Sequence, residues 1–117
     1  MKTIIAGSRD FNDYETLVSF CNGKNIAEVV SGTARGADKL GERFAESRDI
    51  PIKRFPANWD KFGKSAGYLR NSEMANYADA CIVFWDGKSK GSKHMIDLAK
   101  EKGMDINIVY FRKEEII

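Results

Sequence analysis

Short apolar segments alternate with amphipathic segments along the whole chain. Five apolar segments predict strands at residues 3–6, 27–31, 50–55, 80–85 and 106–111. The fourth segment is apolar at every position, which is typical of a central parallel strand covered on both faces. The third is the weakest, because Pro51 suits only the first residues of a strand or an edge strand.

The segments between these strands carry apolar residues at helical spacing. Asn12 and Glu15 have the spacing of a capping box, which predicts the start of the first helix, and Gly23 predicts its end. Three further stripes predict helices, and Gly103 predicts the end of the last one. Their members are Ala37, Leu40, Gly41, Phe44 and Ala45; Asn71, Met74, Ala75 and Ala78; and Met95, Leu98 and Ala99.

This alternation predicts an α/β fold: a Rossmann-like, doubly wound domain with a five-stranded parallel sheet and helices on both faces. The favoured strand order is 3-2-1-4-5, with the flavodoxin-like order 2-1-3-4-5 as the alternative. The 117 residues suit one domain spanning residues 1–117. In either order a switch point lies beside the carboxyl end of the first strand, where such sheets bind ligands.

Charge and cysteine content narrow the classes of partner. The net charge of +2, from 19 basic and 17 acidic residues, argues against a protein held on nucleic acid by a strong basic field, but it does not exclude a local phosphate pocket. Two cysteines in apolar surroundings and one histidine predict reduced thiols and no metal site. No apolar run reaches the length of a membrane span, so we expect a cytoplasmic protein that does not contact membranes.

The predicted loops after the first, second, third and fourth strands, at residues 7–10, 32–38, 56–71 and 86–93, concentrate glycine, hydroxyl and arginine residues. Glycine lets a backbone approach a ligand, a helix N-terminus favours an anion, and arginine binds phosphate through paired hydrogen bonds. Tight turns, helix caps and solvated lysines are the alternative interpretations of these loops. The candidate ligand-binding residues are Gly7, Ser8, Arg9, Gly32, Thr33, Arg35, Gly36, Asp38, Trp59, Arg70, Asn71, Trp85, Gly87, Ser89, Gly91 and Ser92.

Arg70 and Asn71 open a helix face that is otherwise apolar. A buried arginine is costly without a partner, so we expect Arg70 to point from the first turn of its helix towards an anion. The alternatives are an internal ion pair with an aspartate (Asp10, Asp38 or Asp86) and a capping role for Asn71. Gly63-Lys64-Ser65 lacks the earlier glycine of a P-loop, and neither a GxGxxG motif nor a nucleophile elbow is present.

Four motifs together resemble the SLOG superfamily, and more narrowly its small YspA/YpsA-type proteins. They are Gly7-Ser8-Arg9, the segment 31–38 (SGTARGAD), the segment 69–74 (LRNSEM) and the segment 85–92 (WDGKSKGS). The resemblance implies a Rossmann-like domain that binds nucleotides or nucleotide-derived ligands, with no required cofactor. It also implies that the chain can form a homodimer.

Two branches of the superfamily suggest different activities. Arg70, Met74 and Gly91-Ser92 are similar to the motifs of LOG phosphoribohydrolases, which hydrolyse the bond between base and ribose 5′-monophosphate. The position of their catalytic glutamate, however, falls on Met95, so the activity has no evident acid or base. The resemblance to the DprA core implies binding of single-stranded DNA. The residues available for that contact are Lys61, Lys64, Lys88, Lys90 and Lys93, with Trp59, Phe62, Tyr68 and Trp85 for stacking.

The leading hypothesis is therefore a module that binds a small phosphorylated, nucleotide-type ligand at the carboxyl ends of the strands. A phosphoribohydrolase with Arg70 as its catalytic candidate is the second hypothesis, and a single-stranded nucleic-acid binder is the third. For the loop aromatics the alternative is a small satellite core.

Overall fold

Strands and helices alternate through residues 1–112, the part of the chain that the computed structural model describes. The strands are β1 (Lys2–Gly7), β2 (Glu28–Ser31), β3 (Ile52–Arg54), β4 (Ala80–Trp85) and β5 (Asp105–Tyr110). The helices are α1 (Tyr14–Cys21), α2 (Ala37–Ser47), α3 (Trp59–Phe62), α4 (Ala66–Tyr77) and α5 (Lys90–Glu101), with a 3₁₀ turn (Gly63–Ser65) between α3 and α4. No helix in residues 1–112 is both long and apolar enough to cross a bilayer.

The five strands form one parallel sheet in the order β3-β2-β1-β4-β5. The predicted doubly wound fold and the favoured strand order are thereby confirmed, and the flavodoxin-like order is excluded. β1 lies at the centre, with β2 on one side and β4 on the other. The chain therefore reverses its direction of winding at β1, and a crevice opens there between the ends of β1 and β4.

The core has two layers, one on each face of the sheet. Successive residues of a strand point to opposite faces, so β4 sends Cys81 and Val83 into one layer and Ile82 and Phe84 into the other. The helices α4 and α5 cover the first layer, and α1 and α2 cover the second. Because β4 is buried on both faces, its sequence is apolar throughout.

Two local predictions are wrong. The N-cap of α1 is Asp13 and not Asn12, because the Asp13 carboxylate accepts the backbone N–H of Thr16 at 3.1 Å and its hydroxyl at 2.6 Å. Residues 56–71, predicted as a loop, contain α3, the 3₁₀ turn and the start of α4. Arg70 consequently lies in the second turn of α4 and not in the first.

Candidate functional site

The crevice between β1 and β4 holds a cavity of about 480 Å³, called the main cavity below. Gly7 and Phe84 are partners at the ends of these strands, and the N–H of Ser8 donates to the carbonyl of Phe84 at 2.9 Å. Gly7, at the end of β1, and Ser8, which follows it, therefore form the floor of the cavity. Its lining residues are Ala6, Gly7, Ser8, Arg9, Asp10, Ala34, Arg35, Asp38, Arg70, Asn71, Met74, Asp86, Lys88, Ser89, Gly91, Ser92 and Met95.

Two glycines allow the backbone to close around this floor. A Cβ on Gly7 would overlap the carbonyl oxygen of Phe84, so only glycine fits where β1 meets β4. Gly36 has a φ of 80°, and a Cβ there would lie 2.5 Å from the carbonyl oxygen of Ser8 and 2.6 Å from that of Arg9. The start of α2 therefore packs directly on the loop after β1.

Asp38 places a buried carboxylate in the wall of the main cavity. It belongs to the first turn of α2, is 5% exposed, and accepts the N–H of Ala34 through Oδ2 at 3.2 Å. Burial raises the pKa of Asp38 to about 6, although the hydrogen bond from Ala34 and the positive charge of Arg70 act to lower it. The cavity thus contains one carboxyl group that changes its charge close to neutral pH.

Arg70 reaches from α4 across the crevice to the loop after β2. Its Nη1 donates to the carbonyl of Gly32, and its Nε donates to Oδ1 of Asn71 at 3.0 Å. A Cβ on Gly32 would lie 2.8 Å from both Nη1 of Arg70 and Oδ2 of Asp38, so this glycine leaves room for the guanidinium beside the carboxylate. Burial lowers the pKa of Arg70, and the charge of Asp38 opposes that shift.

The geometry of Arg70 therefore has features of both interpretations, the anion-binding residue and the partner of an aspartate. The guanidinium lines the cavity, as expected of an anion ligand, and the negative charge of Asp38 also acts on it. The side chain of Asn71 links Arg70 to α5 and does not cap a helix. Its Nδ2 lies 3.3 Å from the carbonyl of Gly91, to which it donates, and 3.2 Å from Nδ1 of His94.

The loop after β4 is held by an aspartate turn. Oδ1 of Asp86 accepts the N–H groups of Lys88 at 2.9 Å and Ser89 at 2.8 Å, while the N–H of Asp86 donates to the hydroxyl of Ser8 at 3.2 Å. Burial acts to raise the pKa of Asp86, but the hydrogen bonds that its carboxylate accepts, first of all from the N–H groups of Lys88 and Ser89, outweigh burial and lower the pKa. One hydrogen bond therefore joins the loop to the residue after β1, and the other two close the loop on its own aspartate.

A second cavity, of about 430 Å³ and called the side cavity below, lies over β2 and β3. It shares a wall with the main cavity, formed by Arg9, Ala34, Arg35 and Arg70. The rest of its lining comes from the loops after β2 and β3. These further lining residues are Gly32, Thr33, Pro56, Ala57 and Trp59.

Comparison with known proteins identifies the family. The model of the YspA, cpYpsA-related SLOG family matches residues 1–62, which is more than half of the chain. The chain belongs to this SLOG family. The gene 61 protein of Mycobacterium phage D29 is 38% identical over 84 residues, with 67% of each chain covered.

The fold of this SLOG protein is also found in a bacterial DNA-processing protein. The crystal structure of DNA processing protein A (DprA) from Streptococcus pneumoniae superposes with a TM-score of 0.77 at 20% sequence identity, over 92% of this chain. The chain spans about half of that structure, since 49% of the DprA chain is covered. At this identity the likeness establishes the shared fold.

Most of the predicted ligand-binding residues of this SLOG protein line the two cavities. Ten line the main cavity: Gly7, Ser8, Arg9, Arg35, Asp38, Arg70, Asn71, Ser89, Gly91 and Ser92. Gly32, Thr33 and Trp59 line the side cavity and not the main cavity. Gly36, Trp85 and Gly87 line neither of them. Trp85 instead donates its indole N–H to the carbonyl of Ser89 at 3.1 Å, and its ring lies 5.6 Å from that of Tyr110.

The sequence did not predict one network of side-chain hydrogen bonds near the side cavity. The hydroxyl of Ser31 donates to Oε2 of Glu42 at 2.6 Å and accepts the N–H of Thr33 at 3.1 Å, while Nε of Arg54 donates to Oε1 of Glu42 at 3.0 Å. The network holds Thr33 at a φ of 64°, a region that β-branched residues rarely adopt. The sequence feature that could have predicted this network is the position of Glu42 four residues after Asp38, because this spacing places both side chains on the inner face of α2.

Proposed function

We propose that this SLOG protein binds a nucleotide or nucleotide-derived, phosphorylated small molecule in the main cavity. The observation that carries the proposal is the convergence of Arg9, Arg35 and Arg70 on the wall between the two cavities. Guanidinium groups are suited to phosphate because they offer paired N–H donors in a rigid fork. The proposal requires no resident cofactor or metal.

Donor counting supports a phosphate contact by Arg70. A guanidinium has five N–H donors, and the two hydrogen bonds of Arg70 use one on Nε and one on Nη1. The remaining three are on Nη1 and Nη2, which form the end of the fork. Arg70 is therefore held in place by the protein and still has donors for an anion, so little side-chain freedom remains to be lost on binding.

The charge of the main cavity suits one small anion. Its lining includes four cationic side chains (Arg9, Arg35, Arg70 and Lys88) and three acidic ones (Asp10, Asp38 and Asp86), a formal excess of one positive charge. Such a balance favours a ligand that offers both phosphate and hydroxyl groups over a polyanion that offers phosphate alone.

The test is binding of AMP, ADP and pyrophosphate, measured by thermal shift and by calorimetry. A bound ligand stabilises the native state, so we expect a rise in melting temperature at millimolar ligand. Arg35→Ala is expected to weaken ADP binding about tenfold, since it removes a charge-assisted hydrogen-bond donor from an exposed side chain. The matched control is Arg48→Ala, because Arg48 lies over the ring of Phe44 at the end of α2.

If none of the three compounds raises the melting temperature, the proposed function is wrong. It is also wrong if Arg35→Ala and Arg48→Ala bind ADP equally well, because the arginine wall would then have no part in binding.

A second candidate function is contact with single-stranded nucleic acid. A recess of about 250 Å³ beside the crevice is lined by Trp59, Lys64 and Tyr68, among others, and the two aromatic side chains are 50% and 46% exposed. These residues consequently do not form the satellite core that was the alternative interpretation. Exposed aromatic and basic side chains together can stack bases and attract the backbone.

Fluorescence anisotropy with a labelled oligothymidine tests this candidate. Binding is expected to weaken steeply with salt and to be lost in Tyr68→Ala, while Phe62→Ala, which changes an equally exposed ring outside the recess, retains it. Absence of binding at low salt would remove the candidate.

Met95 bears directly on the phosphoribohydrolase hypothesis. Its side chain is 1% exposed and lines the main cavity, so an apolar group stands where that chemistry needs a carboxylate. We therefore propose binding and not release of the base as the function. Chromatography for free adenine after incubation with AMP checks this, and release that disappears in Arg70→Ala would favour the hydrolase.

A further inference from the structure

The two edges of the sheet differ in their protection against pairing with another strand. β3 forms one edge with three residues, follows Pro51, and carries the exposed charges of Lys53 and Arg54. Short length, proline and charge all hinder an edge strand from pairing with another chain. β5 forms the other edge with six residues, contains no proline, and is uncharged from Ile106 to Tyr110. The β5 edge therefore lacks the devices that protect the β3 edge.

Hydrogen bonding to β4 determines which backbone groups of β5 point outward. The N–H of Phe111 donates to the carbonyl of Trp85 at 3.1 Å. Because successive residues of a strand direct their backbone groups to opposite sides, those of Ile106, Ile108 and Tyr110 face away from β4. Within residues 1–112, β4 is the only strand that pairs with β5. Each of these three residues therefore presents an N–H donor and a C=O acceptor at the edge of the sheet.

These outward groups are complementary to those of a second copy of the same strand. In an antiparallel pair centred on Ile108, this residue faces itself, and Ile106 faces Tyr110 of the second copy. Each of the facing pairs then exchanges two hydrogen bonds. A centre at Asn107 would instead place Tyr110 opposite Met104, which precedes β5. The centre at Ile108 is therefore the register that uses every outward group of the strand.

The side chains of the same residues also suit this register. Ile106 and Ile108 are partly buried in the core layer under α5, and Tyr110 is 66% exposed, with its ring 5.6 Å from that of Trp85. Side chains that face each other across an antiparallel pair are in contact, so apolar groups would cover apolar groups on this face. A two-fold axis brings a residue close to its own copy, where a charge would repel itself, and Ile108 carries none.

We propose that β5 is a dimerisation strand, which pairs antiparallel with β5 of a second copy and joins the two sheets into one. A second copy suits this edge better than an unrelated strand, because two-fold pairing satisfies both β5 edges at once. The protected β3 edges are then the only edges left, so the assembly closes at two chains. The inference is independent of the proposed function, since no residue of β5 lines the main or the side cavity.

Sedimentation equilibrium and amide hydrogen exchange of the full chain test the inference. The mass is expected to rise from that of one chain to that of two as the protein concentration increases. In the dimer the N–H groups of Ile106, Ile108 and Tyr110 should exchange slowly, and dilution should make them exchange rapidly. The N–H of Val109, which faces β4, should exchange slowly at both concentrations and serves as the internal control.

Two variants at the edge are compared with one elsewhere. Ile108→Pro removes an outward donor without interrupting the pairing with β4, and the loss of two hydrogen bonds is expected to weaken dimerisation about thirtyfold. Tyr110→Lys changes an exposed side chain and is expected to weaken dimerisation about tenfold, because it replaces two apolar cross-strand contacts. Phe62→Lys is the control, because this exposed ring lies in α3, which follows β3 at the opposite edge of the sheet.

The inference is overturned if the chain stays monomeric at every concentration, whether its outward amides exchange rapidly or are protected by another segment. It is also overturned by a dimer in which those amides exchange rapidly, or by one that both variants leave unchanged, since such a dimer forms through another surface. If Ile108→Pro does not fold, Tyr110→Lys decides, because its side chain is exposed. Slow exchange of the three outward amides in a dimer that both variants weaken supports the proposal.

Discussion

The two loops that enclose the side cavity are held in different ways. In the loop after β2, distant side chains fix the backbone: Glu42 acts through Ser31, and Arg70 binds the carbonyl of Gly32 from 38 residues away. In residues 57–65 the cap of α3 is local, since Asn58 accepts the N–H of Lys61 at 3.1 Å, and α3 contains no buried residue. One wall of the crevice is thus part of the folded core, and the other is secured mainly by its sequence neighbours.

A Cβ added to a glycine in each wall should show this difference most strongly. Gly36 and Gly63 both have positive φ, at 80° and 55°, but a Cβ would meet backbone oxygens only at Gly36. Gly36→Ala is expected to lower the free energy of unfolding by about 4 kcal/mol, and Gly63→Ala by about 1 kcal/mol, because only the first adds steric overlap to the strained backbone. Urea denaturation measures both. Equal losses would mean that the backbone oxygens close to Gly36 do not contribute to the loss of stability.

The next largest effect on stability is expected from the buried network behind the loop after β2. Glu42→Ala removes the acceptor of the buried Ser31 hydroxyl, and that hydroxyl is then no longer fixed in place to accept the N–H of Thr33. The free energy of unfolding is therefore expected to fall by about 3 kcal/mol. Glu46→Ala is the control, because Glu46 is largely exposed and lies 3.7 Å from the same Arg54. Its removal is expected to cost less than about 0.5 kcal/mol. Similar losses in the two variants would contradict the assigned role of Glu42.

Asp38 gives a smaller effect with the opposite sign. Its pKa is raised from 3.8 to about 6 in the folded protein, so ionisation favours unfolding, and the protein loses stability as the pH rises towards and through 6. Asp38→Asn is therefore expected to stabilise the unliganded protein by about 1–2 kcal/mol at pH 8, since the amide removes the buried charge but also the attraction of Arg70. Melting temperatures measured from pH 4.5 to 8 should show the gain growing as the pH rises to about 6 and levelling off above it. A gain of equal size at every pH would contradict it.

Trp59 in the second wall should have the smallest effect on stability. Trp59→Ala is expected to change the free energy of unfolding by less than about 0.5 kcal/mol, because the side chain is half exposed and α3 buries no residue. The same variant is expected to weaken nucleotide binding. A large loss of stability on urea denaturation would show that this wall also belongs to the core.

Periodicity predicted the fold well because the sheet is regular. The uninterrupted apolar segment 80–85 coincides with β4. Because right-handed crossovers leave few possible strand orders, the position of the switch point and the loops around it could also be predicted from the sequence. The helices of residues 59–65 were not predicted, because four residues and a 3₁₀ turn are too short to show a helical period. The contact of Arg70 with Gly32 and the inward position of Glu42 depend on tertiary packing, which apolar periodicity does not specify.

The amide of Asn71 has a consequence for spectroscopy. Because Nε of Arg70 can only donate, Oδ1 of Asn71 must face it, and Nδ2 is then directed at Nδ1 of His94. Nδ1 is therefore the acceptor, and the neutral imidazole carries its hydrogen on Nε2. Burial also lowers the pKa of His94, which favours this neutral form. Since the chain has a single histidine, its ¹⁵N resonances give an unambiguous internal probe one amide group away from the arginine wall.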